Sequence, residues 1–143
     1  DHRDLHSFPT RRSSDLKPIV ASHSNSRHIT GHTRNMTDEM IRALADQGGV
    51  MGMNLCPAFL SEDPEHSRVK DLVKHICHIR DVGGIGVLAL GSDFDGIGGY
   101  EEIEDCTQFW KLDEALREEG FTQEDIEKIW YQNALRVLKA NLK

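Results

Sequence analysis

Along the chain, short apolar runs alternate with longer stretches whose apolar residues recur three and four positions apart, the patterns of strands and amphipathic helices in turn. Residues 17–21 are mostly apolar with two β-branched side chains and predict a first strand, ended by the polar Ser22-His23-Ser24. A loop with His28, Gly31 and His32 leads to Thr37, a candidate N-cap. The helix that follows, over about 38–47, carries Met40, Ile41, Leu44 and Ala45 at helical spacing and stops at Gly48-Gly49. Residues 50–55 are a second strand candidate, ended by Pro57. A second helix is expected over about 65–82, with Val69, Leu72, Val73, Ile76 and Ile79 on one face and Gly83-Gly84 closing it. The run 86–90 is a third strand and enters Gly91-Ser92-Asp93-Phe94-Asp95-Gly96. An acidic loop and a helix over about 107–119 come next. Thr122 and Asp125 then stand at capping-box spacing before a last helix with Ile126, Ile129 and Trp130. That pattern continues or restarts through Leu135, Leu138 and Leu142.

The order β-α-β-α-β-α-α, with near-continuous apolar strands, predicts an α/β fold with a parallel sheet covered by helices. Gly91 to Gly96 matches neither a dinucleotide fingerprint nor a P-loop. The polar residues stand instead at the carboxyl ends of strands one and three, where a (β/α)8 barrel keeps its chemistry. Three βα units cannot close a barrel, so the expected body is an open sector of one, about half of the typical ~250 residues or less.

Composition narrows the classes. The chain has 143 residues, one domain's worth, with 29% charged and 38% hydrophobic residues, near globular norms. A net charge of −7 argues against a nucleic-acid partner, and no apolar run nears the ~20 residues of a membrane span. Cys56, Cys77 and Cys106 are widely spaced and odd in number, which fits reduced thiols in a reducing compartment such as the cytoplasm; localisation is otherwise left open. Residues 1–16 have no strand or helix period. Their stretch 6–16 reads as the translation of a common short-read sequencing adapter, so 1–16 is expected to be a non-native segment and 17–143 the genuine body. Three Asp and three Arg in 1–16 cancel, leaving −7 on the body. A gene joined to adapter sequence is expected to have been cut there, which makes the chain a fragment.

Few residues can carry chemistry. His23, at a strand end between two serines, can ligate a metal, act as a base, or serve the structure alone. Asp93 and Asp95 flank Phe94; on an extended path the ring points away from both carboxylates, and Asp93, nearer the strand, is the candidate to face the axis. Asp95 before Gly96 reads as a turn, and Asp93 can also be a cap or turn. Arg34, in a polar loop, can clamp a carboxylate or simply face solvent. His75 and His78 stand three apart with Asp71 one turn earlier, a spacing that can share a metal, but on a sheet-covering helix they read as surface residues. The run Glu101-Glu102-Ile103-Glu104-Asp105 reads as a solvated loop.

Two segments resemble a known family. Ser22-His23-Ser24, followed by Arg34-Asn35 and Asp38, is similar to the S-H-S … R-N-x-(T/P)-D segment of renal (membrane) dipeptidases. Gly91-Ser92-Asp93-Phe94-Asp95-Gly96 resembles their G-(S/G)-D-F-D-G segment. Gly49 to Asn54 looks like the family strand ending V-N-F, and Asn133-x-Leu135-Arg136-Val137 resembles the closing N-x-L-R-V helix. The likeness spans essentially all of 17–143. It implies a TIM-type (β/α)8 barrel, of which this chain holds the C-terminal three βα units, with two Zn2+ ions at the carboxyl mouth. His23 matches a terminal zinc ligand. Arg34 matches the arginine that holds the substrate's carboxylate, and Asp93 the aspartate that binds the dipeptide and transfers a proton. Phe59 is a further candidate for the substrate pocket. The implied reaction is hydrolysis of a dipeptide by metal-activated water, with a homodimer as a candidate assembly of the intact enzyme.

The chain departs from the family pattern at the early H-x-D pair, the bridging glutamate and a further histidine ligand, which have no counterparts in 17–143. His2-x-Asp4 has the form of the first but lies in the segment set aside. The fragment alone is therefore expected to be inactive, the activity belonging to the intact gene product. Two other readings stand beside this one: another metal-dependent barrel of the amidohydrolase or deoxyribonuclease type, and a non-enzymatic metal-binding or interaction module using His75, Cys77 and His78.

Overall fold

The computed structural model describes residues 17–142, so the expectation for residues 1–16 lies outside the described residues. The elements are β1 (Val20–Ala21), α1 (Asp38–Asp46), β2 (Val50–Met53), α2 (Pro57–Leu60), β3 (His66–Ser67), α3 (Val69–Gly83), β4 (Leu88–Leu90), β5 (Tyr100–Glu101), α4 (Trp110–Glu118), α5 (Gln123–Glu127) and α6 (Asn133–Asn141). The three expected strands pair in parallel in the order β1-β2-β4, with Val20 opposite Val50 and Met51, Gly52 and Met53 opposite Leu88, Ala89 and Leu90. The α/β class and the parallel sheet are as the apolar runs predict.

Helices pack on both faces of the sheet, with Val20 of the edge strand β1 left exposed, and its strands are accordingly not alternately polar. Met51, Met53 and Leu88 join one core with Ile41 and Leu44 of α1, Leu72, Ile76 and Ile79 of α3, and Leu112 and Leu116 of α4. Val50 and Ala89 face the other way and pack on Val137 of α6. Thr37 caps α1 by accepting the Met40 N–H at 3.2 Å, and Thr122 and Asp125 form the expected capping box.

Several boundaries differ from the expectation. The second long helix begins at Val69 because His66–Ser67 is drawn out to pair in parallel with Tyr100–Glu101. The acidic loop is thereby held against α3, and Glu102 is no free carboxylate: its Oε2 accepts the Val69 N–H at 2.8 Å, serving a helix start that its own N-cap residue, Arg68, leaves uncapped. Residues 85–87 form a 3-10 turn before β4, and the helix expected from 107 begins at Trp110 after a 3-10 turn. The C-terminal helical pattern continues rather than restarts, with a π-helical stretch over Lys128–Gln132 joining α5 to α6.

The C-terminal helix holds the amino ends of all three strands. Asn133 Nδ2 donates to the carbonyls of Ile85 (2.7 Å) and Leu88 (2.9 Å). Arg136 donates to those of Gly48 (3.0 Å) and Gly86 (2.9 Å), and Asn141 Nδ2 to that of Pro18 (2.9 Å). These carbonyls precede or open the strands, where no ladder partner takes them. The N-x-L-R-V segment is thus a structural clasp at the end of the sheet opposite the candidate chemistry.

Candidate active site

β1 leaves the sheet at Ser22, whose carbonyl lies against Gly52 of β2 and Gly91 after β4; a Cβ at either glycine would overlap it. That close approach delivers His23 across the sheet, where its Nδ1 lies 2.5 Å from the Gly91 carbonyl. A carbonyl can only accept, so Nδ1 is the donor, and in the neutral ring Nε2 keeps a lone pair. Metal-ligating histidines are oriented in this way, by donating the other ring N–H to a backbone carbonyl or carboxylate. His23 therefore fits the role of a metal ligand. Among the described residues no other His, Cys, Asp or Glu gathers with it into a group of three. The described residues offer one candidate ligand at this end, not a complete metal site.

Asp93 emerges at the same end, two residues past Gly91. Its φ is +73°, a left-handed conformation that Asp tolerates better than most residues. The extended path assumed from sequence stops here: the chain turns, and the Gly96 N–H closes the turn onto the Asp93 carbonyl at 2.9 Å. Phe94 packs against the core and lies 5.8 Å from Phe109, while the Asp93 carboxylate accepts from Asn54 Nδ2 at 3.2 Å. The ring and the carboxylate do part, but through a turn rather than strand alternation.

Three buried asparagines, which sequence reasoning missed as a set, hold these loops. Asn25 Oδ1 accepts the Asn54 N–H at 2.8 Å, and Asn25 Nδ2 donates to the Asn54 carbonyl at 2.9 Å. Asn54 Oδ1 accepts the Cys56 N–H at 2.7 Å. Asn35 Nδ2 donates to the carbonyls of Thr30 (3.0 Å) and Phe59 (2.9 Å). An amide side chain pairs backbone donors and acceptors at once, which irregular buried backbone needs. The signal available in sequence was an Asn just past each of the first two strands.

Arg34 sits in the loop above this end. Ser24 donates from its hydroxyl to the Arg34 carbonyl at 3.0 Å, and Arg27 braces the loop from within through the carbonyls of Asn35 and Thr33, each at 2.9 Å. The Arg34 guanidinium lies over the Phe59 ring at 5.7 Å, and His32 packs on the same ring at 4.5 Å between centroids. No carboxylate among the described residues is paired with Arg34. His23, Asp93, Arg34 and Phe59 all stand at the carboxyl end of the sheet.

The helix histidines require a correction. His75 is not a surface residue but fully buried. Its Nδ1 accepts the Ser26 N–H at 3.0 Å, and its Nε2–H donates to the Leu60 carbonyl at 2.9 Å, with Thr30 Oγ1 at 3.3 Å. Burial pulls its pKa down to about 4, so the ring is neutral and locks the β1 loop to α2. His78 is half-buried, with Nε2 2.8 Å from Asp38 Oδ1 and its ring stacked on His28 at 4.4 Å. The grouping imagined from spacing, His75 with Cys77 and His78, does not form; the three residues the fold gathers are His28, Asp38 and His78.

Comparison with known proteins places this geometry. The family model for membrane dipeptidases (peptidase family M19) matches residues 13–143. A protein in the pqqA 5′ region of Klebsiella pneumoniae is 39% identical over 125 residues, covering 85% of this chain and 46% of that protein. Dipeptidase tcpJ of Claviceps purpurea is 32% identical over 125 residues, covering 87% and 29%. Among solved structures, the M19 metallopeptidase dipeptidase AC superposes with a TM-score of 0.80 at 31% identity, covering 87% of this chain and 38% of that one. A metallopeptidase from Rhodobacter sphaeroides, liganded with a phosphinate mimic of the dipeptide L-Ala-D-Ala, gives 0.79 at 30% identity, covering 87% and 36%. The chain spans less than half the length of the curated relatives it matches.

Proposed function

This chain belongs to the membrane dipeptidase family, peptidase family M19, and on that premise we propose that it is part of a zinc-dependent dipeptidase, a sector of a TIM-type barrel whose strand ends bind a dipeptide and move a proton at its amide. The observation that carries the reading is the convergence of His23, Asp93 and the Arg34 loop at the carboxyl ends of parallel strands, where barrel enzymes build their sites. The phosphinate dipeptide mimic bound to the Rhodobacter relative supports the substrate class.

A divalent metal bound with His23 among its ligands supplies Lewis acidity and an activated water for amide hydrolysis. The chain's own residues do the rest. Arg34 presents a planar fork of N–H donors, steadied over the Phe59 ring, to the substrate carboxylate. Asp93, aimed by Asn54, moves a proton to the departing amine nitrogen. The Asn25–Asn54 pair keeps both loops in register, so the two substrate-facing groups are fixed relative to one another.

The remaining metal ligands are proposed to come from polypeptide outside these residues, as part of the longer protein. The 143-residue chain with Zn2+ is then expected to turn over no dipeptide, while the longer gene product cleaves L-L or L-D dipeptides. In the longer protein Asp93→Asn is expected to lower kcat by about 10²–10⁴, the scale of general acid–base catalysis, and Arg34→Ala to act mainly on KM. Absence of dipeptide cleavage by the longer protein overturns the reading. Zinc-dependent turnover by the short chain, abolished by Asp93→Asn, overturns the partial-site account.

A further inference from the structure

The His28–Asp38–His78 group lies apart from the residues used above and is built from three separate segments: the loop after β1, the first turn of α1 and the middle of α3. Each offers one ligand atom, and the three atoms lie within 4.8 Å of one another. His78 Nε2 and Asp38 Oδ1 are already 2.8 Å apart. Donors around a tetrahedral zinc, with bonds of about 2.0–2.2 Å, stand roughly 3.3 Å from each other. The His78–Asp38 pair has to open only slightly, and His28, exposed on a turn, makes the larger move.

We propose that His28, Asp38 and His78 form an accessory site for a first-row divalent cation of the zinc class, independent of the dipeptidase metal site and closing the β1 loop onto α1 and α3. Two imidazoles and one carboxylate are the donors that zinc takes, with an open fourth position for water. Magnesium and calcium, which prefer all-oxygen shells, are a poor match.

The His28 and His78 rings are parallel, 1° apart, and their in-plane lone pairs do not converge. Rotation of His28 breaks the stack and brings its nitrogen toward Asp38. The cation then replaces the hydrogen between His78 Nε2 and Asp38 Oδ1, so uptake competes with protons. The consequence is mechanical. The loop that carries His28 also carries Arg34, so an ion here pins the segment that the dipeptidase reading assigns to the substrate carboxylate.

The test is calorimetric titration of Zn2+ alone into the chelator-treated 143-residue chain, in a background with His2→Ala and His6→Ala so that the N-terminal imidazoles bind nothing. Stoichiometric uptake and a higher melting midpoint with zinc are expected. His28→Ala, at an exposed position that the fold tolerates, is expected to weaken binding about tenfold or more, since even an outer-shell partner commands 10–100-fold. His78→Gln, which keeps a donor to Asp38, gives the same loss, and His23→Ala leaves the titration unchanged. No uptake, uptake indifferent to His28→Ala and His78→Gln, or uptake abolished by His23→Ala alone each overturns the site. None of these results bears on dipeptide cleavage by the longer protein, so the two proposals fail separately.

Discussion

Acidification isolates the contribution of His75. In the folded chain burial holds this imidazole near a pKa of about 4, against the 6.5 of an unhindered ring. Asp71 beside it favours the proton, and the backbone contact with Leu60 does too, but desolvation outweighs both. Between these two values the unfolded chain binds a proton that the folded chain does not. Stability is therefore fully present above pH 6.5 and drains away as pH falls toward 4. At 1.36 kcal/mol per unit, the loss reaches about 1.4 kcal/mol at pH 5.5 and about 2.5 kcal/mol at pH 4.5, tending to roughly 3 kcal/mol. Urea unfolding at pH 7.5, 6.5, 5.5 and 4.5 measures it directly. His75→Gln supplies the control: it is expected to cost about 1–3 kcal/mol at pH 7.5, by disturbing the bonds to Ser26 N–H and the Leu60 carbonyl, and to flatten the acid limb. The reasoning is refuted if His75→Gln keeps the wild-type slope, or if the ring titrates near 6.5 by NMR.

Asn133→Ala is expected to lose about 2–3 kcal/mol, because two carbonyls at the start of β4 lose a buried donor; Asn133→Asp is expected to do worse at pH 7 than at pH 4, since its carboxylate then faces two oxygens. Asn25→Ala is expected to cost a similar ~2–3 kcal/mol by freeing both backbone groups of Asn54, read from chemical unfolding. Deleting residues 1–16 is expected to leave the unfolding midpoint of the remainder unchanged or improved, and a loss above about 1 kcal/mol, the centre of ordinary mutational effects, shows the segment to be native.

What was legible in the sequence follows from the range of the forces involved. Strand positions and the faces of α1 and α3 show as local periodicity, and the Thr37 and Thr122 caps depend on residues three positions apart. The same locality made His23 and Asp93 visible, each being the first ionisable side chain past an apolar run. His75 was misread because its partners are Ser26, Thr30 and Leu60, all far along the chain, and helical spacing is silent on such contacts. Glu102 was misread for the same reason: the helix start it caps lies 33 residues earlier. Asp93 shows the limit even for a residue correctly singled out. Its positive φ re-aims the carboxylate, and no periodicity in Gly91-Ser92-Asp93-Phe94 announces a turn there.

The two ends of the sheet solve the same problem by different chemistry, and the difference separates scaffold from site. At the amino end the strands need only acceptors satisfied, and donors suffice: Asn133, Arg136 and Asn141 each reach carbonyls from one helix. A single rigid element can do this because the groups it meets are alike. At the carboxyl end donors and acceptors are mixed, because the chain leaves each strand in a different direction. There the asparagines 25, 35 and 54 work in both senses, and His75 does so as well, with one nitrogen accepting and the other donating. A network of that kind tolerates little change of protonation or length in its members, since a buried amide or imidazole that loses its partners is left unpaired away from water. It adjoins Asp93 and the Arg34 loop, so the side chains that the proposed function turns toward substrate take their placement from this network. Variation among relatives that keeps dipeptide hydrolysis is therefore expected to be freer in the Glu104–Asp105 loop than in Asn25 or Asn54, and a relative carrying a hydrophobic residue at either asparagine while retaining full activity contradicts this account.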